Sequence, residues 1–215
     1  MLKIQCAPLD GRSGSPAAYA LLEGMYRAAY GGAVPEIKKT PNGKPFFPAR
    51  PGVHFSLSHA KTHVLCALSD CPVGVDIESP RVISQRAVNF FCAPGELAVF
   101  EPIDLWVLKE SYIKLIGGTL AMMRRLRFSC ESGRITACRD EYLISNGEDF
   151  PNIPAICGNS VSGLYNVGGC RAAVSVYSVR AWRDAVSAGS YEATLASAAS
   201  VEESGPELPC SIELI

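Results

Sequence analysis

Two hydrophobic spacings alternate along this chain. Residues 15–31, SPAAYALLEGMYRAAYG, put Leu21, Leu22, Met25, Ala28 and Ala29 on one helical face, with Ser15 to cap the helix, Pro16 in its first turn and Gly31 to end it. Residues 40–52 carry four prolines and read as a loop. The period then drops to two: Val53, Phe55 and Leu57 alternate with His54, Ser56 and Ser58, the pattern of a half-buried strand. Residues 63–69 and 73–78 are the next strands, separated by the turn-like Asp70-Cys71-Pro72, and together the three predict a small antiparallel meander. Residues 84–100 read as mainly helical, and residues 103–116 as the strongest helix of the second half, ended by Gly117-Gly118. LRFSC, RITACR and GCRAAVSVYSV follow as strand-like runs, with a loop rich in glycine and asparagine between the last two.

A helix followed by short strands thus occurs twice, which predicts an α+β fold of two similar halves, residues 1–73 and 74–184. Residues 185–209 are rich in Ala, Ser and Glu and are expected to carry no chemistry; within the terminal segment 185–215, the final SIELI is expected to return as an edge strand.

With 215 residues of which 48% are hydrophobic, the chain can bury a sizeable core. Twenty Lys plus Arg against 21 Asp plus Glu leave a formal charge of −1, so no global field draws nucleic acid or an anionic membrane, and any bound anion must be held by a local cluster. No apolar run reaches the length of a signal peptide or a membrane span, and a cytoplasmic protein is expected. The nine cysteines form no C-x-x-C pair and read as small buried hydrophobes rather than a disulfide framework.

Candidate chemistry begins with Asp76 and Glu78, two apart in a strand and so on one face, opposite Val75 and Ile77. Glu110 lies in the second-half helix beside Trp106 and Ile113, which is no purely polar face. If the three carboxylates converge, each pair at about 4 Å repels by roughly 4 kcal/mol at an effective dielectric near 20, so the cluster needs a counter-charge. All-oxygen ligands with room for water and phosphate oxygens favour Mg²⁺. The same spacing also suits two exposed strand residues and a plain i,i+4 pair of Glu110 with Lys114. His54, His59 and His63 are the chain's three histidines, and zinc bound with Cys66 or Cys71 is an alternative. Ser58 and His59, at a strand end, also suit a phosphate, with Lys44, Lys109 and Lys114 on the positive side.

Four motifs fall in order: Gly43-Lys44-Pro45, Phe55-Ser56-Leu57-Ser58-His59, Gly74-Val75-Asp76-Ile77-Glu78, and Trp106-Val107-Leu108-Lys109-Glu110-Ser111-Tyr112-Ile113-Lys114. Their order and spacing resemble the Sfp-type 4'-phosphopantetheinyl transferases, whose signature reads G-V/I-D-I/V-E followed by W-x-x-K-E-A/S-x-x-K. The resemblance implies a pseudo-dimeric fold, each half a small antiparallel sheet packed on a long helix, with coenzyme A in the cleft between them. It implies that Asp76, Glu78 and Glu110 hold Mg²⁺ against the pyrophosphate of coenzyme A. Gly43, Lys44, Pro45, Ser58 and His59 would contact the nucleotide and its phosphates, and Lys109 and Lys114 would face the phosphates from the helix. Glu110, or a water on the ion, would take the proton of the carrier serine, with Lys114 as acid for the leaving group. The partners implied are an apo acyl or peptidyl carrier protein and coenzyme A, with the enzyme a monomer; a carrier-binding module without catalysis is the alternative. The chain departs from the pattern at Tyr19 and Ala20, where basic and hydroxyl residues are common, leaving Arg12 and Arg27 as substitutes. It departs again at Gly117-Gly118-Thr119-Leu120, where the family has G-x-G-L. Carrier docking is expected on the apolar part of residues 82–100, including Phe90, Phe91 and Leu97, with Arg81, Arg86, Arg124 and Arg125 as a positive rim.

Overall fold

A computed structural model describes residues 1–131, 134–138, 161–176 and 212–214. The fold is α+β, with three α-helices and small, mainly antiparallel sheets among the described residues. The first sheet contains strand β1 (Leu2–Pro8), β4 (His54–His59) and β5 (His63–Ser69), with β5 between the other two and antiparallel to both. Helix α1 (Gly14–Tyr30) packs on it through Ala17, Ala18, Leu21, Leu22, Met25 and Tyr26. Between α1 and β4 the predicted loop folds into a two-stranded ribbon, β2 (Lys38–Lys39) against β3 (Pro45–Phe46).

The second sheet runs in the order β6 (Val73–Glu78), β10 (Cys170–Val176), β9 (Val161–Val167), β8 (Arg134–Cys138), β7 (Arg127–Glu131), all neighbours antiparallel. Helix α3 (Pro102–Ile116) packs across β6, β10 and β9, after the short helix α2 (Gln85–Phe91) and a 3-10 turn at Glu96–Ala98. Strand β11 (Ile212–Leu214) lies parallel to β1 on the outer edge of the first sheet, which is therefore mixed. The glycine- and asparagine-rich stretch before β10 and the tail 185–209 lie outside the described residues, except for β9. No helix among the described residues is long and apolar enough to cross a membrane.

Three expectations are corrected. The three strands at residues 53–78 do not form one meander, because β6 leaves β5 and pairs with β10 in the other sheet. Its approach to α3 explains the change: a Cβ on Gly74 would stand 1.9 Å from the Ser111 carbonyl oxygen and 2.3 Å from the Leu115 nitrogen, so this strand was built to lie against that helix. Second, Ser56 and Ser58 are not on a solvent face. Both are buried, because β6 runs beside β4 and the serine hydroxyls accept hydrogen bonds from Val75 N at 3.0 Å and Ile77 N at 3.3 Å. Serine side chains thus satisfy β6 backbone donors where the two sheets meet. Third, Ser15 does not cap α1; the helix begins at Gly14 with Ser13 in the capping position and no side-chain cap, while Gly31 does close it at φ 70°. The strands β1 and β9 were not read from the pattern; in β9, Ser162, Gly163 and Asn166 break the apolar alternation.

A candidate acidic cleft where the sheets meet

The site follows from the placement of β6 and α3. Alternation along β6 sends Val75 and Ile77 into the core and Asp76 and Glu78 to the opposite face, toward α3. One helical turn of α3 brings Glu110 and Lys114 to the same place, and β4 ends there with Ser58 and His59. These residues line a cleft of about 390 Å³, closed on the other side by Ser15, Ala18 and Tyr19 of α1 and by Lys39, Gly43 and Pro45 of the ribbon. The N-terminal end of α1 adjoins it: the His59 ring sits so close to Gly14 that a Cβ there would be 2.5 Å from it, and Ser15 Oγ is 3.5 Å from His59 Nε2. A helix N-terminus favours negative charge, so this wall complements an anion.

The polar network inside is centred on Asp76, which is 4% exposed. Ser58 Oγ donates to Asp76 Oδ1 at 2.7 Å, and Lys114 Nζ donates to the same oxygen at 2.6 Å and to Ser58 Oγ at 3.0 Å. Asp76 Oδ2 is buried and has no hydrogen-bond partner among the described residues. A buried carboxylate oxygen without a donor is costly, which marks this atom as a place for an external ligand. Glu110 lies 3.9 Å from Lys114 Nζ, and its pKa is pushed up from 4.5 to about 7, first by burial, then by the charge of Asp76, with Glu78 adding to it and Lys114 opposing. Glu78 is gripped by Arg81, Nε to Oε2 at 3.3 Å and Nη2 to Oε1 at 3.2 Å.

The three expected metal carboxylates therefore share one neighbourhood, but each faces a cation of the protein. As the side chains lie, no group of three or more His, Cys, Asp or Glu among the described residues stands in position to hold an ion. The zinc alternative loses its geometry too, since His59 faces Ser15 while His63 turns to Thr62 Oγ1 at 2.9 Å. Cys66 is fully buried, and burial pushes its thiol pKa up.

Two expected phosphate lysines are elsewhere. Lys109 is 0% exposed and donates to Glu96 Oε2, Phe91 O, Leu126 O and Met123 O at 2.6 to 3.0 Å, so it cannot face a phosphate. The helical period explains it: Lys109 is adjacent to Glu110 in sequence and points about 100° away around α3. Lys44 reaches the end of α3, where its Nζ donates to Leu115 O at 2.6 Å, and burial lowers its pKa to about 8. A cation on the carbonyl end of a helix is favourable, and Asn42 adds a bond to Gly117 O at 3.0 Å. Lys44 thus fastens the ribbon to α3, while its neighbours Gly43 and Pro45 line the cleft. The proposed substitutes for the missing basic residues are also engaged: Arg12 with the carbonyls of Pro8 and Leu9, Arg27 with Glu23.

Sequence reasoning missed Lys39 and Glu96, and noted Tyr19 only as a departure from the family pattern. Ser15, Ala18 and Tyr19 stand at i, i+3 and i+4, which is a one-face signal, but nothing in the sequence said that this face looks onto a cleft. A separate groove of about 560 Å³ runs between α2, the 3-10 turn and Arg124, with Phe90 and Leu97 about half exposed in that region. Phe91, expected with them, is core.

Fold and site together define the class: an α+β protein with an acidic cleft, carrying one lysine at its centre, where two sheets meet. Its sequence is similar to 4'-phosphopantetheinyl transferases. Five curated proteins of that name match, among them a 4'-phosphopantetheinyl transferase of Bacillus subtilis, 32% identical over 90 residues covering 37% of this chain and 40% of that protein. Another, from Bacillus pumilus, is 40% identical over 86 residues covering 35% of this chain and 37% of its own length, and one from Aneurinibacillus migulanus is 36% identical over 91 residues covering 38% of each. The matched stretch thus spans about two fifths of the length of these relatives. No family model matches the chain.

Proposed function

We propose that this chain transfers the 4'-phosphopantetheine group of coenzyme A to a serine of an apo acyl or peptidyl carrier protein, releasing 3',5'-ADP, within a pseudo-dimeric fold of two halves, residues 1–73 and 74–184. The single observation that carries the reading is the partnerless Asp76 Oδ2, buried beside Glu110 and Lys114 in a cleft that the transferase-like motifs line. That orphaned oxygen fits a hard cation, since the donors near it are carboxylates and a hydroxyl; Asp76, Glu78 and Glu110 would hold Mg²⁺, with Arg81 and Lys114 yielding to it. Bound there, the ion would neutralise pyrophosphate charge, which is most of what phosphoryl transfer needs.

The chain's own residues supply the rest. The carrier serine oxygen attacks the phosphorus next to pantetheine, and the bond from that phosphorus to the bridging oxygen of the nucleotide breaks. Glu110 takes the serine proton as general base. Lys114, which already holds an Asp76 oxygen, faces the leaving phosphate and provides its proton and counter-charge. Ser58, His59, Gly43 and Pro45 bound the nucleotide end. Lys109 and Lys44 act from behind, as supports of α3. The groove beside α2, lined by Leu97 and Arg124 and with Phe90 exposed on α2, suits the carrier protein, whereas Arg81 of the expected rim is held on Glu78. A monomer working in the cytoplasm, on the pathway of its carrier, completes the proposal.

Incubation with Mg²⁺, coenzyme A and a panel of apo carrier proteins tests this directly: intact mass should show one phosphopantetheine added to at least one carrier. Folded protein that modifies none would refute it. The engagement of Lys44, Arg12 and Arg27 favours a second reading, a carrier-binding module that no longer holds coenzyme A. Calorimetry with coenzyme A and Mg²⁺ separates the two, because only the transferase shows binding that Asp76→Ala abolishes.

A further inference from the structure

The tryptophan that opens the helical motif has no reacting atom to offer, yet its surroundings link it to the cleft. Trp106 lies on α3, its ring packed edge-on against Phe91 at 5.3 Å between centroids and 81° between planes. The Arg81 guanidinium sits over the other side of this region, 5.4 Å from the Trp106 ring centroid. A guanidinium on an indole face is held in place by both cation–π attraction and shape. From that platform Arg81 forks onto Glu78, one nitrogen to each carboxylate oxygen at 3.2 and 3.3 Å. Two of the three acids thus pair with a protein cation: Asp76 with Lys114 and Glu78 with Arg81.

Resting on the proposed function, we propose that Arg81 competes with the divalent cation for Glu78: it is a positioning residue, propped on Trp106, whose fork on both Glu78 oxygens sets how tightly the cleft takes up its ion. Each Glu78 oxygen accepts one Arg81 nitrogen and keeps a second lone pair, so an ion bound there shares the carboxylate with the guanidinium and is opposed by its charge. Removing the guanidinium also removes a positive charge from beside the site, and both effects act in one direction. The fork is 42% exposed on the arginine side, so the coupling is that of a partly solvated pair. The weakened competition should therefore tighten ion binding by roughly five-fold, the change that about 1 kcal/mol makes in a dissociation constant. A Lys at this position keeps the charge without the planar fork and should fall between the two.

The test measures Mn²⁺ binding by electron paramagnetic resonance and Mg²⁺ by calorimetry on the full chain, without substrate. Arg81→Met should bind both ions more tightly than the unaltered protein, Arg81→Lys should lie between, and the gain should shrink at high salt because the charge component is screened. Unchanged or weaker binding by Arg81→Met, with an unaltered thermal melt and circular dichroism, overturns the inference and leaves the proposed function standing. Absence of ion binding in the unaltered protein, together with no transfer to any carrier, overturns both.

Discussion

Helix α3 carries two lysines that each meet a carboxylate, and they could hardly be used more differently. Lys109 and Glu96 are both buried, and every polar atom of the pair is matched: the ammonium has Glu96 and three carbonyls, while the carboxylate also accepts from Ala93 N at 2.7 Å and Phe128 N at 2.9 Å. Lys114 and Asp76 face a cleft, and there the matching is incomplete, with Asp76 Oδ2 left bare and Glu110 holding its proton to about pH 7. The first pair ties the segment after α2 and the turn before β7 to α3, and its saturation leaves nothing for a ligand. The second is a polar network held open in a folded protein, and unmet capacity of that kind is what a binding or catalytic site requires. Satisfaction, rather than charge or spacing, separates the structural lysine from the functional one.

The largest effect should come from breaking the saturated pair. Lys109→Ala strands a buried carboxylate and should cost about 3–5 kcal/mol of stability in urea unfolding, and Lys109→Met with Glu96→Leu should not recover it, because Ala93 N and Phe128 N then lose their acceptor. Recovery in the double variant would show that the backbone groups around the pair do not depend on it. On the cleft side, Asp76→Ala should lower transfer by about 100- to 1000-fold while changing unfolding stability by less than ~1 kcal/mol. A stability loss as large as that of Lys109→Ala would erase the distinction between the two pairs.

The pH dependence of stability should follow the open network. The folded pKa of Glu110 lies above its unfolded value, so the folded state binds this proton more tightly; the stability it confers is full below about pH 4.5 and is lost as pH rises through about 7. Melts between pH 5 and pH 8 should show a loss on the order of 2 kcal/mol that Glu110→Gln removes, and a slope that persists in the variant would assign it to other groups. The smallest effect belongs to the rim: Ser15→Ala should stay within about 0.5 kcal/mol, because that hydroxyl caps no helix and its hydrogen bond among the described residues, to His59 at 3.5 Å, is exposed.

Much of the fold was legible. The period-3.6 faces of α1 and α3, their terminal glycines, the alternation in β4 and β6 and the unbroken apolar run of β5 identify elements that depend on local pattern and caps. Of the candidate site, Asp76, Glu78, Ser58, His59, Glu110 and Lys114 do share one cleft. What the pattern could not carry was partner choice. Serines at alternate positions of β4 read as solvent-facing until β6 is laid beside them, and β6 itself reads as the third strand of a meander until Gly74 meets the backbone of α3.

The amino-acid order by itself determined most of the helices and strands, which carboxylates share a strand face, and which motifs follow one another, because these rest on spacing within a few residues. Only the tertiary structure decided that Lys109 is sealed against Glu96, that Lys44 fastens the end of α3, and that Arg81 and Lys114 sit on the acids of the cleft. Those outcomes depend on contacts between distant elements and on the balance between desolvation and pairing. A lysine carries the same charge in sequence whether water, a carbonyl or a carboxylate awaits it.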